Sequence, residues 1–465
     1  MSKIEDTNHK WWVLLAVGIG TFMSALDGSV VNTILPVLRR SLGSDVAGVE
    51  WVVTIYLLTL SGLLLSFGRL GDLRGHKTIY LSGFGIFVLS SALCGLANSV
   101  VVLVIFRITQ AVGAAMLAAN SPAILTKNFP ARQRGQALGL QATMTYLGLT
   151  VGPSLGGWLA SQFGWRAVFY INLPVGALAL WVSLRYIPYD TPEKVTERFD
   201  LPGATVFITS LVMLLLALNQ GHNWGWSSPA ILGLLAAAGL LLLVFGQIET
   251  RSAAPMLDLS LFRNPLFSLS VASAVFNYIC LFCVTFLLPQ YLIDGRGLSA
   301  AQAGLLLTAQ PIVMAIAAPL SGTFSDRVGV RLPGTLGMSI LAGGMLLLSR
   351  LGEASPWVQI ILSLAVVGLG TGIFVSPNNS AVMGSAPRHR QGIAAGVLAT
   401  ARSFGMVLGV GFSGAIYTTV LARGSVAHPT LFQAFQASFL AAFVFAVLGI
   451  ITSAVRRKGL GDETG

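Results

Sequence analysis

Charge is the first thing this chain lacks. Asp, Glu, Lys and Arg make up 10% of its 465 residues, against 54% hydrophobic residues and a mean hydropathy of +0.78. Soluble domains carry about a quarter charged residues, so lipid rather than water surrounds most of the molecule. Acids are scarcer still: 17 against 28 bases, a net charge of +11. That excess would suit nucleic acid if it were clustered, but the bases are scattered between apolar runs, which a membrane protein explains better. Cys94, Cys280 and Cys283 all lie in apolar runs. The Cys-x-x-Cys pair at 280–283 lacks the histidines and further thiolates a metal needs, so the thiols read as packing groups and no metal is expected. The 5 histidines fall in loops or tails, too dispersed for a membrane enzyme. There is no Gly-Lys dipeptide, hence no P-loop, and the longest polar connector (about 186–200) is too short for an ATPase domain. An ion gradient is the energy source that remains, with no cofactor.

Apolar runs long enough to span a bilayer, about 20 residues each, are plentiful. They fall at 11–37, 50–68, 77–97, 100–124, 136–161, 165–187, 201–219, 229–248, 266–291, 299–325, 330–350, 356–383, 391–421 and 431–455. The opening MSKIEDTNHK is polar and the run after it exceeds a signal-peptide core, so the first span is expected to be retained. With the N-terminus inside, inner segments collect Lys3, Lys10, Arg69, Arg74, Lys77, Lys127, Arg132, Arg134, Arg185, Lys194, Arg198, Arg251, Arg263, Arg327, Arg331, Arg388, Arg390 and a tail of Arg456, Arg457 and Lys458. Outer segments hold only Arg39, Arg40, Arg166, Arg296, Arg350 and Arg423. Both termini are therefore expected in the cytoplasm.

The chain also repeats itself. GRLGDLRGHK (Gly68–Lys77), placed in the inner loop after the second span, has a degraded copy GTFSDRVGVR (Gly322–Arg331) at 322 − 68 = 254 residues. GLQATMTYLGLTVGPSLGG (Gly139–Gly157) is echoed by GVLATARSFGMVLGVGFSG (Gly396–Gly414) at 396 − 139 = 257 residues. Near-equal offsets imply two six-span repeats, expected at 1–190 and 265–456, an inserted pair of spans within 191–264 lying outside both, and a cytoplasmic tail at 457–465. Parallel repeats related by an axis along the membrane normal are the architecture of rocking secondary transporters, with the binding cavity between the halves.

The motifs have physical content of their own. Gly148, Gly152 and Gly156 recur every four residues, a stripe along which another helix can approach closely, and Pro153 beside them removes a backbone donor. The stripe, with Gly157, is either ordinary packing or a hinge between the halves. Asp72 sits among Arg69, Arg74 and Lys77 with the tight glycines Gly68, Gly71 and Gly75. It either docks on a helix N-terminus or the bases to latch the inner side, or lies in a solvated loop. Within FMSALDGSVVNTILP (Phe22–Pro36), Asp27 lies about 24 Å from the start of the span and Arg107 about 10 Å from the outer start of the fourth, so the two share a depth. Asp27 can load and release a proton there, pair statically with Arg107, or cap a break at Gly28.

In sum these residues resemble the major facilitator superfamily, in its fourteen-span drug:proton antiporter branch. GRLGDLRGHK resembles that family's loop 2–3 motif, RITQAVGAA (Arg107–Ala115) its span 4 motif and GLTVGPSLGG (Gly148–Gly157) its span 5 antiporter motif. LDGSVVNTILP and GWRAVFYINLPVG (Gly164–Gly176) resemble the span 1 and span 6 signatures of the branch. The resemblance implies an all-α polytopic fold and proton-coupled export of lipophilic, monocationic or neutral drugs from the cell membrane by a monomer, with protons, a small amphiphile and lipid as partners and no nucleic acid. A dedicated exporter of a metabolite, lipid or antibiotic is the alternative, and a channel lacks its filter or charged ring.

Candidate cavity residues, polar or aromatic at mid-span depth, are Tyr56, Gln141, Phe276, Asn277, Phe282, Gln310, Asn378, Asn379 and Phe404, together with Asp27. Arg402 lies about 17 Å into the thirteenth span, at the repeat position of Thr145 (402 − 257). It either faces the cavity, in which case even an anionic substrate is expected to fit, or bonds backbone carbonyls or snorkels away.

Overall fold

The structure, a computed structural model, describes residues 9–44, 46–190, 199–225, 227–251, 255, 257–298, 300–423 and 428–456. Lys3, Lys194, Arg198, Arg457, Lys458 and the expected 457–465 tail lie outside the described residues. Among those described, the regular structure is helical throughout. The first repeat comprises α1 (His9–Ser41), α2 (Val46–Arg74), α3 (His76–Leu96), α4 (Val100–Asn128), α5 (Arg134–Phe163) and a sixth span broken at Ile171 into α6 (Ala167–Tyr170) and α7 (Asn172–Tyr186). The inserted pair is α8 (Leu201–Trp224) and α9 (Pro229–Arg251). The second repeat comprises α10 (Pro265–Gln290), a span broken at Thr308 into α11 (Ala300–Leu307) and α12 (Ala309–Val328), then α13 (Arg331–Leu348), α14 (Trp357–Ser385), α15 (Gln391–Arg423) and α16 (His428–Ala454).

Of the fourteen expected spans, 13 correspond to helices long and apolar enough to cross a membrane. The exception is α5, whose 30 residues suffice in length but whose glycines and polar residues dilute its hydropathy. With so many spans, the chain is a multi-pass membrane protein.

The helices run past their apolar stretches, and this corrects one sequence expectation. Gly68–Arg74 is not a loop: it forms the last turns of α2, and the connection to α3 shrinks to Gly75. That residue has φ +92°, a conformation glycine adopts without steric cost, and Gly329 (φ +85°) does the same after α12. Helix α3 starts under Asp190, whose oxygens accept from the amides of His76 (2.9 Å) and Lys77 (3.2 Å), with Lys127 Nζ 3.3 Å away. Burial alone would raise the Asp190 carboxyl, but these bonds and the neighbouring His76 and Lys127 charges outweigh it and hold the group below its ordinary value.

Two seams join the halves, and they are copies of each other. Helix α2 packs on α15, and α12 packs on α5. At the first, Gly68 and Gly392 meet backbone to backbone, and a β-carbon at Gly396 would stand 2.9 Å from Leu65 Cα. At the second, Gly322 and Gly135 meet in the same way, and a β-carbon at Gly139 would stand 2.6 Å from the Ala318 oxygen. Each seam carries a carboxylate on a helix N-terminus. Asp72 accepts from the amides of Gly392 (2.8 Å) and Ile393 (2.9 Å) at the start of α15. Asp326, in the degraded motif copy, accepts from Gly135 and Gln136 (both 2.9 Å) at the start of α5. Free amides and the helix dipole both favour an anion there. Of the two sequence readings of Asp72, the docked one is what the structure contains. Gly71 is packed against Asn120 and His76, while Arg74 is exposed.

The Gly148–Gly156 stripe has a different neighbour from the hinge reading. β-Carbons at Gly148 and Gly152 would lie 2.9 Å from Ala25 Cβ and 2.6 Å from Ser29 Cβ, and one at Gly156 2.8 Å from Val30 Cγ1, all on α1 of the same half. Helix α5 thus divides its glycines: Gly135 and Gly139 approach the other half, the later three approach α1. Gly157 has nothing within 4 Å and Pro153 is exposed, while α5 continues through the proline.

Two outcomes follow from these contacts. Gly152→Leu must displace Ser29 and separate α5 from α1, lowering stability by roughly 1–3 kcal/mol, whereas Gly157→Ala meets no neighbour and matches or slightly exceeds the parent. Thermal unfolding in lipid nanodiscs measures both, and equal melting of Gly152→Leu and parent would refute the packing assignment. Removing the charge in Asp72→Asn weakens two charge-assisted bonds, so amide exchange at 391–396 should accelerate about tenfold. Asp326→Asn should do the same at 134–138, and exchange-mass spectrometry resolves the two seams separately.

Candidate functional site

A carboxylate in hydrocarbon has to find donors, and Asp27 finds three. Helix α1 runs unbroken through Gly28, so Asp27 caps no break. Its Oδ2 accepts from Arg107 Nη1 at 2.7 Å, and its Oδ1 accepts from Gln110 Nε2 at 3.0 Å and Asn172 Nδ2 at 2.9 Å. Asp27 and Arg107 are 2% and 1% exposed, so the pair is dry. Around it, Arg107 Nε donates to the Val52 oxygen (3.3 Å), Nη1 also donates to Gln110 Oε1 (2.8 Å), and the guanidinium lies 4.0 Å from the Tyr56 ring centroid. Asn172 further donates to Ser91 Oγ (3.0 Å), which donates to the Phe169 oxygen (2.9 Å). Six helices, α1, α2, α3, α4, α6 and α7, therefore contribute to one polar knot.

The knot lies inside the first half, not between the halves. This corrects the expectation that Asp27 and Tyr56 line the cavity. The other side of α1 is occupied by the α5 glycines, which leaves Asp27 facing α4 and α7. Gln110 and Asn172 were not singled out from the sequence, although both sit inside quoted motifs: Gln110 one turn after Arg107 in RITQ, and Asn172 in FYINLP.

In the second half, the candidate cavity residues separate. Asn378 accepts from Arg456 Nη2 at 2.6 Å, and Arg456 is 1% exposed, so this cation joins α16 to α14 instead of belonging to a solvated tail. Asn277 is buried with its amide 3.6 Å from Met338 Sδ, and Phe276 stacks on Phe445 of α16 with centroids 6.3 Å apart. Those three residues pack the interior of the second half and do not line the space between halves. Phe282 packs beside Gly409 between α10 and α15. Phe404 is half-buried, Gln141 is half-buried with its amide 3.4 Å from Thr21 Oγ1, and Gln310 is buried on α12 with Nε2 unpartnered.

Arg402 does face other residues at mid-depth. Its Nη2 donates to Asn379 Oδ1 at 2.6 Å, and its guanidinium lies 5.7 Å from the Tyr278 ring centroid. Tyr146, on α5 of the opposite half, is close enough to interact electrostatically with both Tyr278 and Arg402. Neither tyrosine was flagged from the sequence, since an aromatic in an apolar helix carries no sign of which face it occupies. Cys280 and Cys283 are buried free thiols directed at backbone oxygens of Ala442 (3.2 Å) and Ser438 (3.9 Å).

Comparison with known proteins bears on this geometry. The family model described as Major Facilitator Superfamily matches twice, over residues 17–272 and 270–460, one match per repeat. The chain is 34% identical over 413 residues to the riboflavin transporter RibZ of Clostridioides difficile (strain 630), covering 89% of each. It is 34% identical over 416 residues to the multidrug resistance protein Stp of Mycobacterium tuberculosis (strain ATCC 25618 / H37Rv), covering 89% of this chain and 77% of that one. It is 32% identical over 410 residues to the tetracenomycin C resistance and export protein of Streptomyces glaucescens, covering 87% and 76%. Among solved structures, the human organic anion transporter TETRAN superposes with a TM-score of 0.67 at 17% identity, covering 94% of this chain and 99% of that one, a likeness of fold. The protein is a transporter and not an enzyme. Its repeats, its seams and these matches agree: the chain belongs to the major facilitator superfamily.

Proposed function

We propose that this protein is a proton-coupled exporter of lipophilic compounds, working by alternating access in the cell membrane with both termini in the cytoplasm. The observation that carries the reading is the dry Asp27–Arg107 pair within the membrane. Charges there are costly and are retained for ion or proton pathways. Multidrug and antibiotic exporters among the relatives support the direction and the breadth of substrate.

The contacts supply a route from proton to conformation. Asp27 lies on α1, α1 lies along the glycine stripe of α5, and the N-terminus of α5 holds Asp326 of the other half. Protonating Asp27 removes the charge that holds Arg107, so α1 shifts against α4 and carries α5 with it. The seam at the α5 N-terminus then loosens. Because the closed seams lie at the Lys- and Arg-rich end, the positive-inside rule makes this conformation closed to the cytoplasm. The energy comes from the proton gradient, without a cofactor, and a single chain suffices.

A monocationic substrate would need a free carboxylate, and in this conformation both oxygens of Asp27 are occupied. Neutral amphiphiles fit the geometry better, and a second positive charge would be desolvated without a partner.

The test is substrate-driven proton flux in proteoliposomes with a panel of cationic, neutral and anionic amphiphiles. Wild-type protein should exchange protons for substrate, and Asp27→Asn should lose gradient-driven export while still inserting. Removing one member of a buried pair costs about 3–5 kcal/mol, so Asp27→Asn/Arg107→Gln serves as a second variant, balanced in charge and equally uncoupled. Normal proton-coupled export by either folded variant overturns the coupling role.

A further inference from the structure

We infer that Arg402 forms an anion-recognising subsite, and that the compounds carried include aromatic or lipophilic monoanions whose carboxylate docks on its guanidinium. The inference rests on the exporter reading for the word carried; the binding itself does not.

Arginine in a membrane span is expected to find an acid or several acceptors, because its charge is costly in hydrocarbon. The fully buried Arg107 is paired with Asp27 and two further acceptors, and the fully buried Arg456 has two neutral acceptors, Asn378 Oδ1 and Ser453 Oγ. Arg402 has one acceptor, Asn379 Oδ1 at 2.6 Å, and its buried Nε donates to nothing. The ion pairs among the described residues are Asp72–His76, Asp27–Arg107, Lys127–Asp190 and Arg390–Asp258, and none reaches Arg402. The guanidinium therefore stands at mid-membrane depth, about 17 Å from the start of α15, with a neutral amide as its one hydrogen-bonding partner among the described residues.

Its placement suits a ligand more than a structural tie. Gly405, about one turn on, lets α15 approach α10: a β-carbon there would lie 2.9 Å from Tyr278 Cβ. That brings Tyr278 beside the guanidinium, and Tyr146 reaches the same neighbourhood from the first half. A cation with an unused N–H beside an aromatic ring matches an aromatic body ending in a carboxylate. Guanidinium and carboxylate fit in a planar, two-bond geometry that an amine cannot reproduce. The repeat equivalent, Thr145, holds no charge, so the fold's symmetry does not require a cation here. The snorkelling alternative fails because the side chain is held at Asn379, and the backbone-bonded structural role fails because no backbone carbonyl accepts from it among the described contacts.

Equilibrium binding to purified protein in nanodiscs tests this without relying on transport. The probes are pyrenebutyrate, its primary amide and pyrenebutylamine, which share one ring system and differ in charge. Wild-type protein should bind the carboxylate about tenfold or more tighter than the amide, as a charge-assisted bond implies, and the amine weakest. In Arg402→Gln the carboxylate should fall to the level of the amide, with amide affinity unchanged; Arg402→Lys should recover part of the preference. If Arg402→Gln fails to fold, Asn379→Leu, which frees the guanidinium, should preserve or strengthen the carboxylate preference. Equal binding of carboxylate and amide by wild type, no carboxylate binding at all, or a preference that persists in Arg402→Gln each overturns the inference. A carboxylate preference without proton exchange in proteoliposomes would uphold the subsite while refuting proton coupling.

Discussion

Every charge placed in hydrocarbon has to be answered by another group, and that constraint organises this molecule. Within the first half it draws α1, α2, α3, α4 and α7 around one carboxylate. At one end of the helices it turns two aspartates onto free helix amides, joining the halves by bonds that a modest change in geometry can make or break. Strength and reversibility come from the same source: the donors are backbone groups that water can also satisfy once the seam opens.

The glycines divide the work of close approach. Where α5 meets the other half, Gly135 and Gly139 allow backbone contact, and short polar side chains (Thr143, Ser376 and Asp326) bond across it to backbone groups. Where α5 meets α1, the following glycines hold the pair along its length, and the two helices can move as one body. One helix is therefore held both within its own half and to the other.

Much of this was legible in the sequence. Composition, span count, the repeat offset and the shared depth of Asp27 and Arg107 all survive in the structure, because each depends on position along the helix axis. What was not legible depends on rotation about that axis. Helices apolar on every side give no periodic signal of which face meets protein and which meets lipid. Phe276, Asn277 and Asn378 were at the right depth but turned into their own bundle, Tyr146 and Tyr278 went unmarked, and the Gly148–Gly156 stripe faced α1 instead of the opposite half. Asp326 was visible as a member of the degraded repeat; its role became clear only with the α5 N-terminus beside it.

The inserted pair breaks the equivalence of the two seams. Helix α8 touches α2 of one half and α15 of the other, and α9 packs on α8 with little of its own surface buried. The α2–α15 seam is thus sheathed from the acyl chains, while no inserted helix covers its counterpart between α5 and α12. To the surrounding lipid the protein thus presents one seam that is covered and one that is bare, and the inserted pair is what makes a nearly symmetric molecule two-sided.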